Sequence, residues 1–304
     1  RLGQTSMRPA AVGLGGAWGH KAGREGTIAG IEAALDLEMN FLDTYPGQDE
    51  PSWGEVLAVD GRRQRVYLQA KVSCHVRNER TSDHSAARTR FSVEASLRDL
   101  RTDYLDSVLI HGYDQPEQLQ GSDIVDPLAP GNALDELLKL KEEGKVRHIG
   151  IGARSAAVHA RAIATGHIEV VLTYLEYNLL TQAAATELFP LCRERDVGVI
   201  LASPLAMGLL TGREPNPDDE QRKIRDLTEP KAHRMWRWCQ QRDVDIRHLA
   251  IQYCMAAPVD GFVLPGQASV DEVRTSYEAG TAIVADEVWA EFGEEFGIDV
   301  GGLV

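Results

Sequence analysis

Short apolar runs that stop abruptly at a polar residue recur along this chain, and between them lie longer stretches whose apolar residues return every three to four positions. Asn40-Phe41-Leu42 stops at Asp43 and Thr44, Val66-Tyr67-Leu68-Gln69-Ala70 at Lys71, and Ser107-Val108-Leu109-Ile110 at His111. Runs of this length read as buried strands, and the helical spacing between them reads as the helices that cover a parallel sheet. The alternation begins with Ala11 to Gly16 and a helix from about Thr27 to Leu37. It continues with Asn40 to Thr44 and a helix near Ser52 to Val59, then Val66 to Lys71 and a helix near Ala86 to Leu100. Tyr104 to His111 leads to a helix near Ala133 to Glu143, where Gly144 suits a C-terminal cap. Val146 to Gly152 precedes a helix opened by Ser155, and Glu169 to Tyr177 one from about Ala183 to Arg195. Val197 to Ser203 leads to helices within Lys231 to Ala256, and Gly261 to Pro265 to a last helix capped by Ser269.

Eight strand-helix units predict a closed (β/α)8 barrel, the TIM-barrel form of the α/β class, as a single domain over 1–304. A doubly wound sheet is the alternative, but Gly13, Gly15 and Gly16 lack the G-x-G-x-x-G spacing of a dinucleotide fold. The Pro- and Asp-rich stretch from Gly212 to Asp226 reads as a long surface loop of the kind that covers a ligand at a barrel mouth.

A barrel delivers catalytic side chains from the C-terminal ends of several strands. Three successive tips here carry Asp43, Lys71 and His111. A carboxylate holding an ammonium supplies a fixed positive charge that lowers the pKa of a nearby hydroxyl, and an imidazole beside it can hydrogen-bond a substrate oxygen where charge develops. The bland alternative is a rim ion pair plus a satisfied core histidine. Three tips in a row favour proton transfer at a carbonyl or alcohol.

Composition narrows the partners. Lys and Arg number 32 against 46 Asp and Glu, a formal net charge of -14, which disfavours nucleic acid and anionic membrane surfaces. No apolar run reaches the roughly 18 residues of a membrane span. Cys74, Cys192, Cys239 and Cys254 lie apart with no Cys/His ligand spacing, so neither a disulfide framework nor a metal is expected, and reduced thiols fit a cytoplasmic setting. Of the four, Cys74 lies just past a polar tip and reads as a loop thiol or a minor catalytic candidate.

Several ordered segments resemble the aldo/keto reductases, over essentially the whole chain. Leu2-Gly3-Gln4-Thr5 with Gly13-Leu14-Gly15 is similar to that family's opening hairpin and first strand, and Asn40 to Thr44 to its acid strand. Glu50, Trp53-Gly54 and Leu57 resemble the next helix, and Gly144 to Gly150 the fifth strand. Ala202-Ser203-Pro204-Leu205-Ala206-Met207-Gly208-Leu209-Leu210-Thr211 and Leu172-Thr173-Tyr174 are similar to the aldose dehydrogenase branch, which contains L-galactose and L-fucose dehydrogenases.

The resemblance implies a tetrad of Asp, Tyr, Lys and His working with a nicotinamide cofactor. Asp43, Lys71 and His111 match three members, while the register places Gln48 where the tyrosine belongs. An amide is no general acid near neutral pH and a phenol beside an ammonium is, so Tyr45 becomes the candidate donor and Tyr113 a weaker one. The implied cofactor contacts are Ala153, Tyr174, Ser203, Leu205, Gly208, Gly266, Glu272 and Ser276. Gly266 and Glu272 stand where members preferring a 2′-phosphate carry Lys and Arg, so the resemblance favours NAD over NADP, with Arg274 as a possible compensating cation. Gly152-Ala153 replaces the Ser-Asn pair that holds the carboxamide in the wider family.

Three functions remain open. The first is an NAD(P)(H)-dependent oxidoreductase acting on a small polar carbonyl or sugar-like alcohol. The second is a non-redox dehydratase, lyase or epimerase using Lys71 and His111, and the third a regulatory protein that keeps the cofactor site. Trp18, His75, Tyr113 and the Gly212 to Asp226 loop are expected pocket walls, and neither the substrate nor the oligomeric state is readable.

Overall fold

A computed structural model of the chain describes residues 1–45, 49–72, 83–111, 125–216 and 229–304. Its strands are β1 (Leu14–Gly15), β2 (Phe41–Asp43), β3 (Tyr67–Val72), β4 (Leu105–His111), β5 (Val146–Ala153), β6 (Val170–Tyr174), β7 (Gly198–Ala202) and β8 (Gly261–Leu264). They pair in parallel in chain order. Parallel bridges from Val12 to Val263 and from Gly15 to Gly266 bring the last strand round to the first. The expected (β/α)8 barrel is the fold.

Side chains alternate across each strand, and the core divides accordingly. Val108 and Ile110 of β4, like Leu42, Ile149, Val171 and Val199 of other strands, face outward into the layer shared with the helices. Phe41, Leu109, Val170, Leu172, Ile200, Phe262 and Leu264 face inward and fill the barrel, so it is a packed core rather than a pore. Leu2 and Met7 close its floor from the N-terminal segment. That segment is a tight turn, with Leu2 N donating to Met7 O at 3.1 Å, rather than a hairpin of paired strands. The turn requires Gly3, which has φ +50° and whose added Cβ would stand 2.1 Å from the Gly198 nitrogen.

The helices are α1 (Gly23–Asp36), α2 (Glu50–Leu57), α3 (Ala86–Asp99), α4 (Ala133–Glu142), α5 (Ala156–Ile163), α6 (Ala183–Thr186), α7 (Leu188–Glu194), α8 (Glu229–Gln241), α9 (Ile246–Met255), α10 (Val270–Thr281) and α11 (Asp286–Phe296). Ser155 and Ser269 cap α5 and α10 as the sequence indicates, each accepting the backbone N–H three residues on. Gly144 follows α4 at φ +78°.

Three expectations change. A 3-10 turn over Gly16–Ala22 precedes α1, which starts earlier than its apolar pattern. The helix expected over Ala183 to Arg195 breaks at Glu187 (φ -115°, ψ -49°), where Pro190 offers no N–H to the carbonyl four residues back. Ser269 does not open the last helix: α11 follows, and its Phe292 and Phe296 pack against Trp238 of α8 with ring centroids 5.2 and 6.3 Å away. No helix among the described residues is long and apolar enough to cross a membrane.

Candidate active site

At the C-terminal mouth of the barrel Lys71 Nζ lies 2.5 and 2.6 Å from the two carboxylate oxygens of Asp43 and donates to Thr44 O at 3.1 Å. Both side chains are almost wholly buried, at 4 and 5 % exposure. Low local dielectric strengthens such a pair, and removing either partner would leave an uncompensated buried charge. Asp43 has a further donor, Gln69 Nε2 at 2.7 Å, and Gln69 Oε1 accepts from the Ser107 hydroxyl at 2.9 Å.

His111 is buried at the tip of β4. Tyr45 sits against both His111 and Lys71: its ring centroid is 5.3 Å from that of His111, edge to face at 84°, and Lys71 Nζ is 5.3 Å from the same ring. The Tyr174 ring, nearly parallel to His111 at 21° and 6.4 Å, forms the other side. His84 Nε2 lies 3.2 Å from the His111 carbonyl, and burial holds the His84 imidazole below its ordinary pKa. The three predicted tips and Tyr45 therefore come together at the barrel mouth.

Behind the pair stands Glu50, at the start of α2. The Thr44 hydroxyl lies 3.0 Å from Glu50 Oε1, and Ser96 Oγ lies 2.9 and 3.0 Å from the two Glu50 oxygens. Burial pushes this carboxyl up to about 7 from 4.5, outweighing those hydroxyl contacts and the attraction of Lys71.

A groove of about 600 Å³ lies across the ends of β7 and β8 and reaches the N-terminus of α10. Six of the expected cofactor residues, Ser203, Leu205, Gly208, Gly266, Glu272 and Ser276, line it. Tyr174 and Ala153 do not; they end β6 and β5, Tyr174 beside His111. Gly152 rather than Ala153 lies on the His111 side of β5, since a Cβ there would stand 3.2 Å from His111 Cδ2. The loop after β7 holds Ser203, Ala206 and Met207 at φ 60°, 48° and 55°, conformations that concentrate at ligand sites.

Trp18, expected as a wall, lines the groove over Gly266, where a Cβ would meet its ring at 2.5 Å. Lys21 Nζ lies 4.0 Å from that ring's centroid. Arg274 is exposed and does not line the groove; Lys21, Arg213 and Arg247 are the cations that do among the described residues. Gln48, Cys74, His75 and Tyr113 lie outside the described residues, as does most of the loop from Gly212 to Asp226. Burial pushes the thiols of Cys192 and Cys239 up to about 12 and raises that of Cys254 as well, which makes them poor nucleophiles.

A buried lysine-carboxylate pair with a tyrosine and a histidine beside it, at the C-terminal mouth of a (β/α)8 barrel, is an arrangement suited to proton transfer. Residues 11–294 match the Aldo/keto reductase family, and the chain belongs to that family. It is 32 % identical over 297 residues to L-galactose dehydrogenase of Arabidopsis thaliana, covering 93 % of this chain and 88 % of that one. It is 27 % identical over 290 residues to D-threo-aldose 1-dehydrogenase of a Pseudomonas species, covering 87 % and 86 %. The solved apo structure of an aldo-keto reductase from Bacillus halodurans superposes with a TM-score of 0.74 at 26 % identity, covering 97 % and 94 %. The chain is thus an NAD(P)-dependent oxidoreductase of the aldo/keto reductase type.

Gln69, Ser107 and the buried Glu50 carry no role in the sequence reading. Gln69 lies two residues before Lys71 and Ser107 four before His111, so the period of two along β3 and β4 sets each on the same face as its tip. A polar residue at that spacing, inside an otherwise apolar run, was the available signal.

Proposed function

We propose that the protein oxidises a sugar-like alcohol, or in reverse reduces a small polar carbonyl, with NAD(H) rather than NADP(H). The observation that carries the reading is the buried Asp43–Lys71 pair with the Tyr45 ring set against both Lys71 and His111. The two sugar dehydrogenases among its relatives support an aldose-like substrate.

In this reading Asp43 holds Lys71 in place as a cation. Lys71 lowers the pKa of the Tyr45 phenol, which gives a proton to the substrate oxygen in reduction and takes it in oxidation. His111 hydrogen-bonds the same oxygen and orients it. A bound nicotinamide dinucleotide would exchange the hydride. The residues lining the groove fit such a molecule: apolar Trp18, Leu205 and Met207 alternate with polar Ser203, Thr211 and Ser276, and the N-terminus of α10 lies at the groove.

Glu272 supports NAD. Its Oε2 accepts from Ala268 N at 2.6 Å, so a carboxylate already occupies that helix end. It would repel a 2′-phosphate and suit a 2′-hydroxyl.

The test is a fluorescence titration with NADH and NADPH, followed by turnover of aldoses and aldehydes. Micromolar binding of NADH with turnover is expected, and loss of the phenol in Tyr45→Phe should lower kcat by about 10²–10⁴ with cofactor affinity unchanged. Failure to bind either nucleotide would overturn the reading. Full activity of the Phe variant would remove Tyr45 from it.

A further inference from the structure

Asp43, Gln69 and Ser107 stand level on three neighbouring strands, Asp43 paired with Gln69 across β2 and β3 and Gln69 with Ser107 across β3 and β4. Gln69 and Ser107 are both at 0 % exposure. Around them the inward positions are apolar: Phe41 on β2, Tyr67 on β3 and Leu109 on β4. An amide in such surroundings is costly unless both its ends are bonded. Here both are, one to Ser107 and one to the carboxylate.

The polarity of this chain of contacts is fixed by the charge at its end. An ionised carboxylate only accepts, so Gln69 must turn its NH2 toward Asp43 and its oxygen away, where the Ser107 hydroxyl meets it. Asp43 Oδ1 then takes two donors, Gln69 and Lys71, and Oδ2 takes Lys71. The amide thus restrains carboxylate rotation, which would otherwise carry Lys71 off the Thr44 carbonyl.

We propose that Gln69, anchored by Ser107, is a positioning residue that fixes the Asp43 carboxylate and through it the Lys71 ammonium. Its effect on turnover rests on the function proposed above; its coupling to the ion pair does not.

Two measurements on the full chain test this. In the first, Gln69→Met, of similar length but without a donor, is compared by urea denaturation in the native background and in one carrying Asp43→Ala with Lys71→Met. A large fall in the urea midpoint is expected in the native background and a small one where the pair is gone; equal falls would overturn the proposal. Should the Met variant not fold, Ser107→Ala carries the same cycle.

In the second, kcat and KM are measured with the aldose or aldehyde that the native protein turns over. Removing a hydrogen bond to a charged group should lower kcat in Gln69→Met about ten- to a hundred-fold, with NADH affinity unchanged. Ser107→Ala should lower kcat by less, and Ser107→Thr, which keeps the hydroxyl, should restore it. Unchanged kcat in Gln69→Met would overturn the proposal. If the native protein turns nothing over, the proposed function fails and the denaturation cycle still decides the role of Gln69.

Discussion

Glu50 makes stability depend on pH in a way that can be worked out from its surroundings. Its carboxyl is raised from 4.5 to about 7 in the fold, chiefly by burial, with Asp99 adding to the rise and Ser96, Thr44 and Lys71 opposing it. Below pH 4.5 the group is protonated in both folded and unfolded chains and costs nothing. Between 4.5 and 7 the unfolded chain ionises while the folded one keeps its proton, so stability falls as pH rises, and above 7 the loss is complete. At 1.36 kcal/mol per pH unit the full loss is about 3 kcal/mol. Glu50→Gln keeps an oxygen to accept from Thr44 or Ser96 and removes the ionisation. Urea denaturation of both proteins from pH 4.5 to 8.5 should therefore give a difference between them that grows by about 2–3 kcal/mol in favour of Gln, most of it between pH 5 and 7.5. Two curves parallel across that window would refute the reasoning.

Other consequences are as direct. Lys71→Met should lower stability by about 3–5 kcal/mol at pH 7, because it strands the buried Asp43 carboxylate, and the loss should shrink with Asp43→Asn added; urea midpoints of the single and double variants check this. Glu272→Lys should raise NADPH affinity relative to NADH by roughly tenfold or more as repulsion of the 2′-phosphate becomes attraction; the fluorescence titration reads the ratio, and an unchanged ratio would remove Glu272 from the discrimination. Gly3→Ala should cost on the order of 1–3 kcal/mol or more, since its Cβ would stand in the backbone of Gly198; a native-like melting temperature would refute the close approach.

The eight-unit repeat, and with it the barrel, was legible because each inner strand is a short apolar run and each covering helix carries the 3.6 period. The three polar tips were legible for the same reason: Asp43, Lys71 and His111 interrupt apolar runs at their C-terminal ends, and the barrel closes those ends on one mouth. What escaped depends on pairing between strands. Nothing local to Gln69 says that Asp43 stands level with it on one side and Ser107 on the other. The pKa of Glu50 is likewise a property of burial between α2, α3 and the barrel, which its exposed-looking neighbours Asp49 and Pro51 do not announce. The break at Glu187 was readable in principle from Pro190 and was outweighed by the alanine run before it.

The inward face of the barrel is built in two tiers, and their order explains how a charge pair persists there. Leu2, Met7, Phe41 and Phe262 form an apolar floor and lower filling, and Asp43, Gln69, Lys71, Ser107 and His111 form a polar tier above it. Water reaching the pair from below would have to cross that filling, so the Coulomb attraction between Lys71 and Asp43 acts in a dry setting. Gln69 bonds the carboxylate and the Thr44 carbonyl the ammonium, so each charge has a neutral dipole beside it in addition to its counter-ion. The ion pair is therefore held by neutral dipoles on both partners as well as by its own attraction, and removing the Gln69 donor should weaken the pair and, with it, the fold.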